Sequence, residues 1–326
     1  MKGWLWAGAI SLVAAVVAAL AFGAWKNSDF VDGQSDRLTM EGTFTKGFYD
    51  QGMDKDGQNK GIQDVGFMAL PNKHVTAVRK LDQRVIFDAS YTTGPDGFRV
   101  VPKVENAQRC VLLFGDSFTF GEGVNDDETT AAQIVAKSKG QVEVKSLGIG
   151  GWGPHQFLSG LQSGRFQRAI SCKPTDAVYL MIAAHTARAA GRGKWDRFGP
   201  RFVVDGNGQA VRAGNFNTVG KSWRELVGFN RLTEDEEEEL SASILTTASH
   251  ELAHLYPGIR FHVFLWDGVP DGVARRLAGK GVSVHTIRQI IPDYTDEAYL
   301  IAPPFEYHPK PVAYGKVADY VLGLLK

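Results

Sequence analysis

The chain has little cysteine, only two residues in 326, and no charge excess of either sign, with Lys+Arg and Asp+Glu both at 36. Two cysteines are too few for a disulfide-stapled small scaffold. The charge balance removes any global field that would point to nucleic acid or to an anionic membrane surface. No internal repeat is present. Long apolar runs are also missing, except one. From Gly3 to Trp25 there is no charged residue. About 23 residues at ~1.5 Å each are enough to cross a ~30 Å hydrocarbon core. Trp4, Trp6 and Trp25 stand near its ends, and Lys2 lies on the expected cytoplasmic side. An uncleaved anchor over residues 1–25 is the expectation. A cleaved signal peptide is the alternative, since Ala19-Leu20-Ala21 has the small-x-small form of a cleavage site. Either way the remainder is expected outside the cytoplasm, anchored on the periplasmic or extracellular face or else secreted.

In such a compartment Cys110 and Cys172 can pair. Each stands just ahead of an apolar run, Val111–Phe114 for the first and Ala177–Leu180 for the second. If those runs are neighbouring parallel strands, both thiols fall at the same edge of the sheet. Two unrelated thiols are the alternative.

Residues 26–70 are rich in Gly, Asp, Lys, Gln and Asn without sustained period, and read as a linker or irregular cover. From about His74 to Arg99 the pattern is strand-like and closes on the turn signal Gly94-Pro95-Asp96-Gly97. Residues 26–105 are thus taken as a linker and small β extension, and residues 106–326 as the main domain. There the short runs Val111–Phe114, Val142–Leu147, Ala177–Ile182, Phe261–Leu265 and Val282–His285 alternate with helical stretches. The helices are expected near Thr129–Ser138, His155–Ala169, Thr233–Leu255, Pro270–Ala278 and Pro311–Leu325. Continuous apolar strands between helices predict a three-layer α/β/α fold with a central parallel sheet. The segment 186–230 is too long for a plain connection and reads as an insertion carrying a hairpin around Asp205-Gly206-Asn207-Gly208.

The segment from Val111 to Val124 carries the most chemistry. A buried strand ends at Gly115, the polar pair Asp116-Ser117 emerges at its carboxyl end, and Gly121 and Gly123 open the loop that follows. Ligands in such folds bind at this edge, and a hydroxyl there has backbone N–H groups nearby for a developing oxyanion. A serine capping a plain turn is the rival reading.

The string Gly-Asp-Ser-Phe-Thr-Phe-Gly-Glu-Gly-Val resembles the first block of the SGNH (GDSL-like) hydrolases, and the resemblance runs from roughly Cys110 to Lys326. It implies Ser117 as nucleophile. His308, in Glu306-Tyr307-His308-Pro309 ahead of a terminal helix, resembles the family's last block and is implied as base. The family's acid stands three residues before that histidine, where this chain has Phe305, so Glu306 is taken as its replacement. Ser146-Leu147-Gly148-Ile149-Gly150-Gly151 resembles the second block and implies Gly151 as an oxyanion-hole amide beside that of Ser117. The third block departs most: Ala183-Ala184-His185-Thr186 places His185 where the family has its Asn, implying an imidazole donor in the hole. Arg188 is a candidate for binding an anionic substrate group, with a solvated insertion residue as the alternative. The resemblance implies hydrolysis of an acyl ester, or transfer of its acyl group to a sugar hydroxyl, with no cofactor and no metal; an exported, anchored position favours envelope glycans as substrates by analogy. A catalytically silent carbohydrate-binding or scaffold module is the other class.

Two patterns are set aside. His250-Glu251-Leu252-Ala253-His254 has the zincin spacing, but both histidines fall opposite the apolar stripe of their helix. The acidic run after Thr233 is a helix start with a capping box.

Overall fold

The computed structural model describes residues 37–217 and 231–326. The apolar segment 1–25 lies outside them, and among the described residues no helix is long and apolar enough to cross a membrane. Five parallel strands form the central sheet: β1 (Arg109–Phe114), β2 (Val142–Ser146), β3 (Asp176–Met181), β4 (Arg260–Leu265) and β5 (Ser283–Thr286). Their spatial order is β5-β4-β3-β1-β2, the doubly wound order in which the connections reverse beside the first strand. That reversal falls between β1 and β3, and Ser117 follows the carboxyl end of β1. β1 is paired on both flanks, with Val111 opposite Val144 of β2 and Asp176 of β3.

Burial explains the continuous apolar runs. In β1, β3 and β4 nearly every residue is buried, because helices cover both faces. Leu112, Phe114 and Tyr179 point to one side. They pack with Phe157 and Leu161 of helix α2 (Pro154–Gln162) and with Ile244, Leu245 and Leu252 of α3 (Glu234–Leu255). Val111, Leu113 and Val178 point to the other. They meet Ala131 and Ile134 of α1 (Thr130–Lys137) and Val317 and Val321 of the terminal α5 (Pro311–Leu324). Between α3 and α5, helix α4 (Asp271–Leu277) crosses from β4 to β5.

Helix ends follow their capping residues. Thr233 and Glu236 form the expected box at α3, and Pro311 starts α5, where a missing N–H costs nothing. His250 and His254 are exposed on α3. One expectation fails: the helix read over His155–Ala169 is two, Pro154–Gln162 and Arg165–Ala169. Gly164 breaks it by adopting φ +72°, a left-handed conformation that ends helices.

The N-terminal extension is a hairpin, His74–Leu81 with Arg84–Thr92, joined by a third strand, Leu38–Glu41, within the stretch read as linker. Only four residues long and half-exposed, that strand carries too few apolar positions to register as a period. Phe48, Phe67 and Tyr91 of the extension belong to the same buried cluster as Leu112 and Phe114. In the insertion, Pro200–Val204 pairs with Ala210–Asn215 as a hairpin. Asp196 ties it to α2, accepting hydrogen bonds from His155 and Gln156 at 2.6 Å each. Cys110 of β1 and Cys172, just before β3, form a disulfide.

Candidate active site

The chain turns sharply after β1. Gly115 takes φ +148°, and a Cβ there would sit 2.4 Å from Thr119 Oγ1 and 2.9 Å from the Leu180 carbonyl oxygen. Only glycine fits. Asp116 then caps the short helix Ser117–Phe120 by accepting from the Phe118 N–H at 3.0 Å. The loop beyond is clamped by buried Arg99. Its guanidinium donates to the carbonyls of Phe120, Gly121 and Val124 at 2.9, 2.6 and 2.7 Å. It also pairs with Asp126 at 2.8 Å and lies against the Tyr91 and Phe120 rings.

Although 191 residues separate them, His308 Nε2 lies 2.8 Å from Ser117 Oγ. His308 Nδ1 is 2.5 Å from Glu306 Oε1, which also accepts from the His308 backbone N–H at 3.1 Å. A carboxylate, an imidazole and a hydroxyl thus form one hydrogen-bonded line, in the geometry by which a base is oriented toward a nucleophile. Burial works to keep Glu306 protonated. The charge and hydrogen bond of His308, with Arg79 beyond, outweigh it and hold the carboxyl down to about 2. For His308 burial favours the neutral ring, but Glu306 and Glu122 outweigh it and raise the imidazole to about 9.

The other expected residues are placed differently. His185 is fully buried, with Nδ1 3.1 Å from Tyr179 Oη and accepting from the Ile182 N–H at 3.4 Å. Its proton therefore sits on Nε2, which faces Asp116 Oδ2 at 3.2 Å. Burial holds the ring neutral, shifting it below the usual histidine value against the pull of Asp116. In that arrangement Nε2 makes no hydrogen bond, so its N–H is the one donor the ring keeps. Arg188 is likewise turned inward: Nη1 donates to Asp116 Oδ2 at 2.7 Å and to the Trp152 carbonyl at 2.9 Å. It anchors the carboxylate behind Ser117. Burial opposes ionisation of Asp116, yet His185 and Arg188 keep it well below the usual carboxylate range. Gly151 follows β2 with φ +85°, and its carbonyl accepts from Trp195 Nε1 at 3.1 Å.

Three residues at the site escape a reading of the sequence. Glu122 places Oε2 4.0 Å from His308 Nε2, and burial raises its carboxyl above the usual value despite the pull of His308. Tyr49 of the extension covers Gly150, where a Cβ would come within 2.5 Å of the phenol oxygen. Arg79 stands 3.5 Å from Glu306 with both side chains buried. Its signal was present: it occupies an inward position with Val75, Ala77 and Leu81 in an alternating strand, where a cation needs a partner.

No family model matches the sequence, and no curated protein does. Some solved structures match at low identity. A member of the lipolytic protein G-D-S-L family from Veillonella parvula is 13% identical, with 66% of this chain and 97% of that one covered at a TM-score of 0.40. An acetyl xylan esterase from Butyrivibrio proteoclasticus is 14% identical, covering 69% of this chain and 64% of that one at 0.40. The psychrotrophic esterase EstA of Pseudoalteromonas is 10% identical, covering 67% and 99% at 0.40. At such identities the chemistry has to be read from the atoms of this chain alone.

Proposed function

We propose that this chain is a serine hydrolase or O-acyltransferase of the SGNH type, acting on acyl esters. The observation that carries the reading is the line from Glu306 through His308 to Ser117 Oγ, at 2.5 and 2.8 Å. Neutral His308 accepts the proton of Ser117 as Oγ attacks the ester carbonyl. The tetrahedral oxyanion is received by the amides of Ser117 and Gly151. The imidazolium, steadied by Glu306, hands the proton to the departing alkoxide, leaving an acyl-enzyme. Water or a sugar hydroxyl, deprotonated by the same imidazole, then takes the acyl group and frees Ser117. In this reading residues 106–326 carry the catalytic apparatus, and residues 1–25 place it outside the cytoplasm, facing envelope glycans. The Cys110–Cys172 disulfide supports an oxidising compartment.

A second reading, a carbohydrate-binding module without turnover, is favoured by one observation: His185 is fully buried, with Nδ1 on Tyr179 and Nε2 3.2 Å from Asp116 Oδ2, and an oxyanion hole short of one donor loses about 10²–10³ in rate elsewhere. A fluorophosphonate probe separates the two. The hydrolase reading expects Ser117 to be labelled and Ser117→Ala to abolish turnover of p-nitrophenyl acetate. An unlabelled Ser117, or a variant with unchanged rate, overturns it.

A further inference from the structure

A cavity of about 520 Å³ lies where the loop after Tyr49 meets the insertion. Gln51 and Asn59 wall it from the extension, and Lys194, Trp195, Arg197 and Phe198 from the insertion. The two segments touch directly, since a Cβ added at Gly61 would come within 2.3 Å of Phe198 Cβ. Neither segment belongs to the central sheet. The cavity is nonetheless wired to the site, because Trp195 donates its indole N–H to the carbonyl of Gly151. Tyr49, two residues before Gln51, covers the neighbouring Gly150 and lies on the Glu122 side of it.

The lining has a definite chemistry. Two aromatic rings offer flat apolar surface, the three primary amides of Gln51, Asn59 and Asn217 offer both donors and acceptors, and the Arg197 guanidinium stands among them. Among the described residues that line the cavity there is no carboxylate. Half-buried Trp195 is fixed by its indole bond, so its face is presented in one orientation. The Arg197 guanidinium lies 5.7 Å over the Phe198 ring, held where a planar fork can meet a carboxylate. Rigid aromatic faces suit the C–H face of a sugar ring, and amides suit its hydroxyls.

We propose that this cavity is a subsite for an acidic saccharide, a sugar ring carrying a carboxylate or sulfate, adjoining Ser117 by way of Gly151. Its place in turnover rests on the acyl-ester reading; binding itself does not. In that scheme the subsite holds one residue of an anionic glycan while a neighbouring residue presents its acyl group, or its free hydroxyl, to Ser117.

The test uses the full chain carrying Ser117→Ala, titrated calorimetrically with oligogalacturonate, a hyaluronan oligosaccharide and a heparin oligosaccharide, with neutral cellohexaose beside them. At least one acidic probe should bind. Arg197→Ala and Gln51→Ala, each added to this background, should weaken that binding about tenfold, the loss typical of a contact that matters. Binding of none of the probes, indifference to both substitutions, or equal affinity for cellohexaose overturns the proposal. A chain inert to fluorophosphonate that still binds the acidic probe would sink the hydrolase reading and leave the subsite standing.

Discussion

Arg79 Nε, on a strand of the N-terminal hairpin, stands 3.5 Å from Glu306 Oε2, beside the carboxylate oxygen that His308 does not use. Both side chains are buried, so the pair is screened little by solvent. A residue outside the sheet thus completes the environment of the group that orients the imidazole.

Arg79→Met should therefore do more than unsettle the hairpin. Breaking a buried pair by removing one partner costs about 3–5 kcal/mol, to be read from urea unfolding. The pH dependence carries the sharper signature. Glu306 is depressed to about 2 from an ordinary 4.5. The stability it confers is complete above pH 4.5 and is lost as pH falls through 2. Without Arg79 the depression shrinks, and stability should vary less across that interval. An unaltered acid limb would show that Arg79 leaves the carboxylate alone.

His308 is held up to about 9, and only its neutral form can take the serine proton. The rate, kcat/KM for p-nitrophenyl acetate, should accordingly climb from neutral pH through about 9. Folding is linked in the opposite sense. The stability conferred by the His308 proton is present below 6.5 and lost as pH rises through about 9. Glu122→Gln removes one of the charges that favour the imidazolium and should move the midpoint of the rate profile downward. A midpoint that stays fixed would mean that the Glu122 carboxyl is not felt at His308.

Arg99→Met addresses the loop beyond Ser117. One guanidinium serves three carbonyls of that loop and Asp126. Its removal leaves buried acceptors and a carboxylate unmatched. A loss of about 3–5 kcal/mol is expected, and surviving protein should react more slowly with fluorophosphonate as Ser117 loses its fixed position. Stability within about 0.5 kcal/mol of the parent, as at an ordinary surface position, would contradict the clamp.

The disulfide closes a loop of sequence separation 62. Chain entropy assigns such a closure about 4 kcal/mol. The double substitution Cys110→Ser, Cys172→Ser should lower unfolding stability by that order, with p-nitrophenyl acetate kinetics unchanged under folding conditions. A variant as stable as the parent would show that the crosslink leaves the unfolded chain as free as before.

Legibility in the sequence follows the range of the forces involved. β1, β3 and β4 announce themselves because a strand buried on both faces has to be continuously apolar. Ser117 is visible because a polar pair ends such a strand, and His308 because it precedes a helix that Pro311 begins. What stays hidden is the partner of each group. His185 occupies the expected place after β3, yet the carboxylate of Asp116 and the phenol of Tyr179 decide where its nitrogens point. Tyr49 reaches Gly150 only through the packing of the extension on the main cluster, which no local period encodes. Gly164 was visible as a glycine, but a single glycine within an apolar period does not declare its sign of φ.

The hairpin that carries Arg79 also changes what counts as the smallest working unit of this chain. A chain begun at residue 106 would retain the serine, the histidine and the carboxylate. It would strip the cation from one side of Glu306 and the phenol from Gly150. Shortening the protein to its sheet would in that sense dismantle it from behind, since the carboxylate and its cation sit on separate segments.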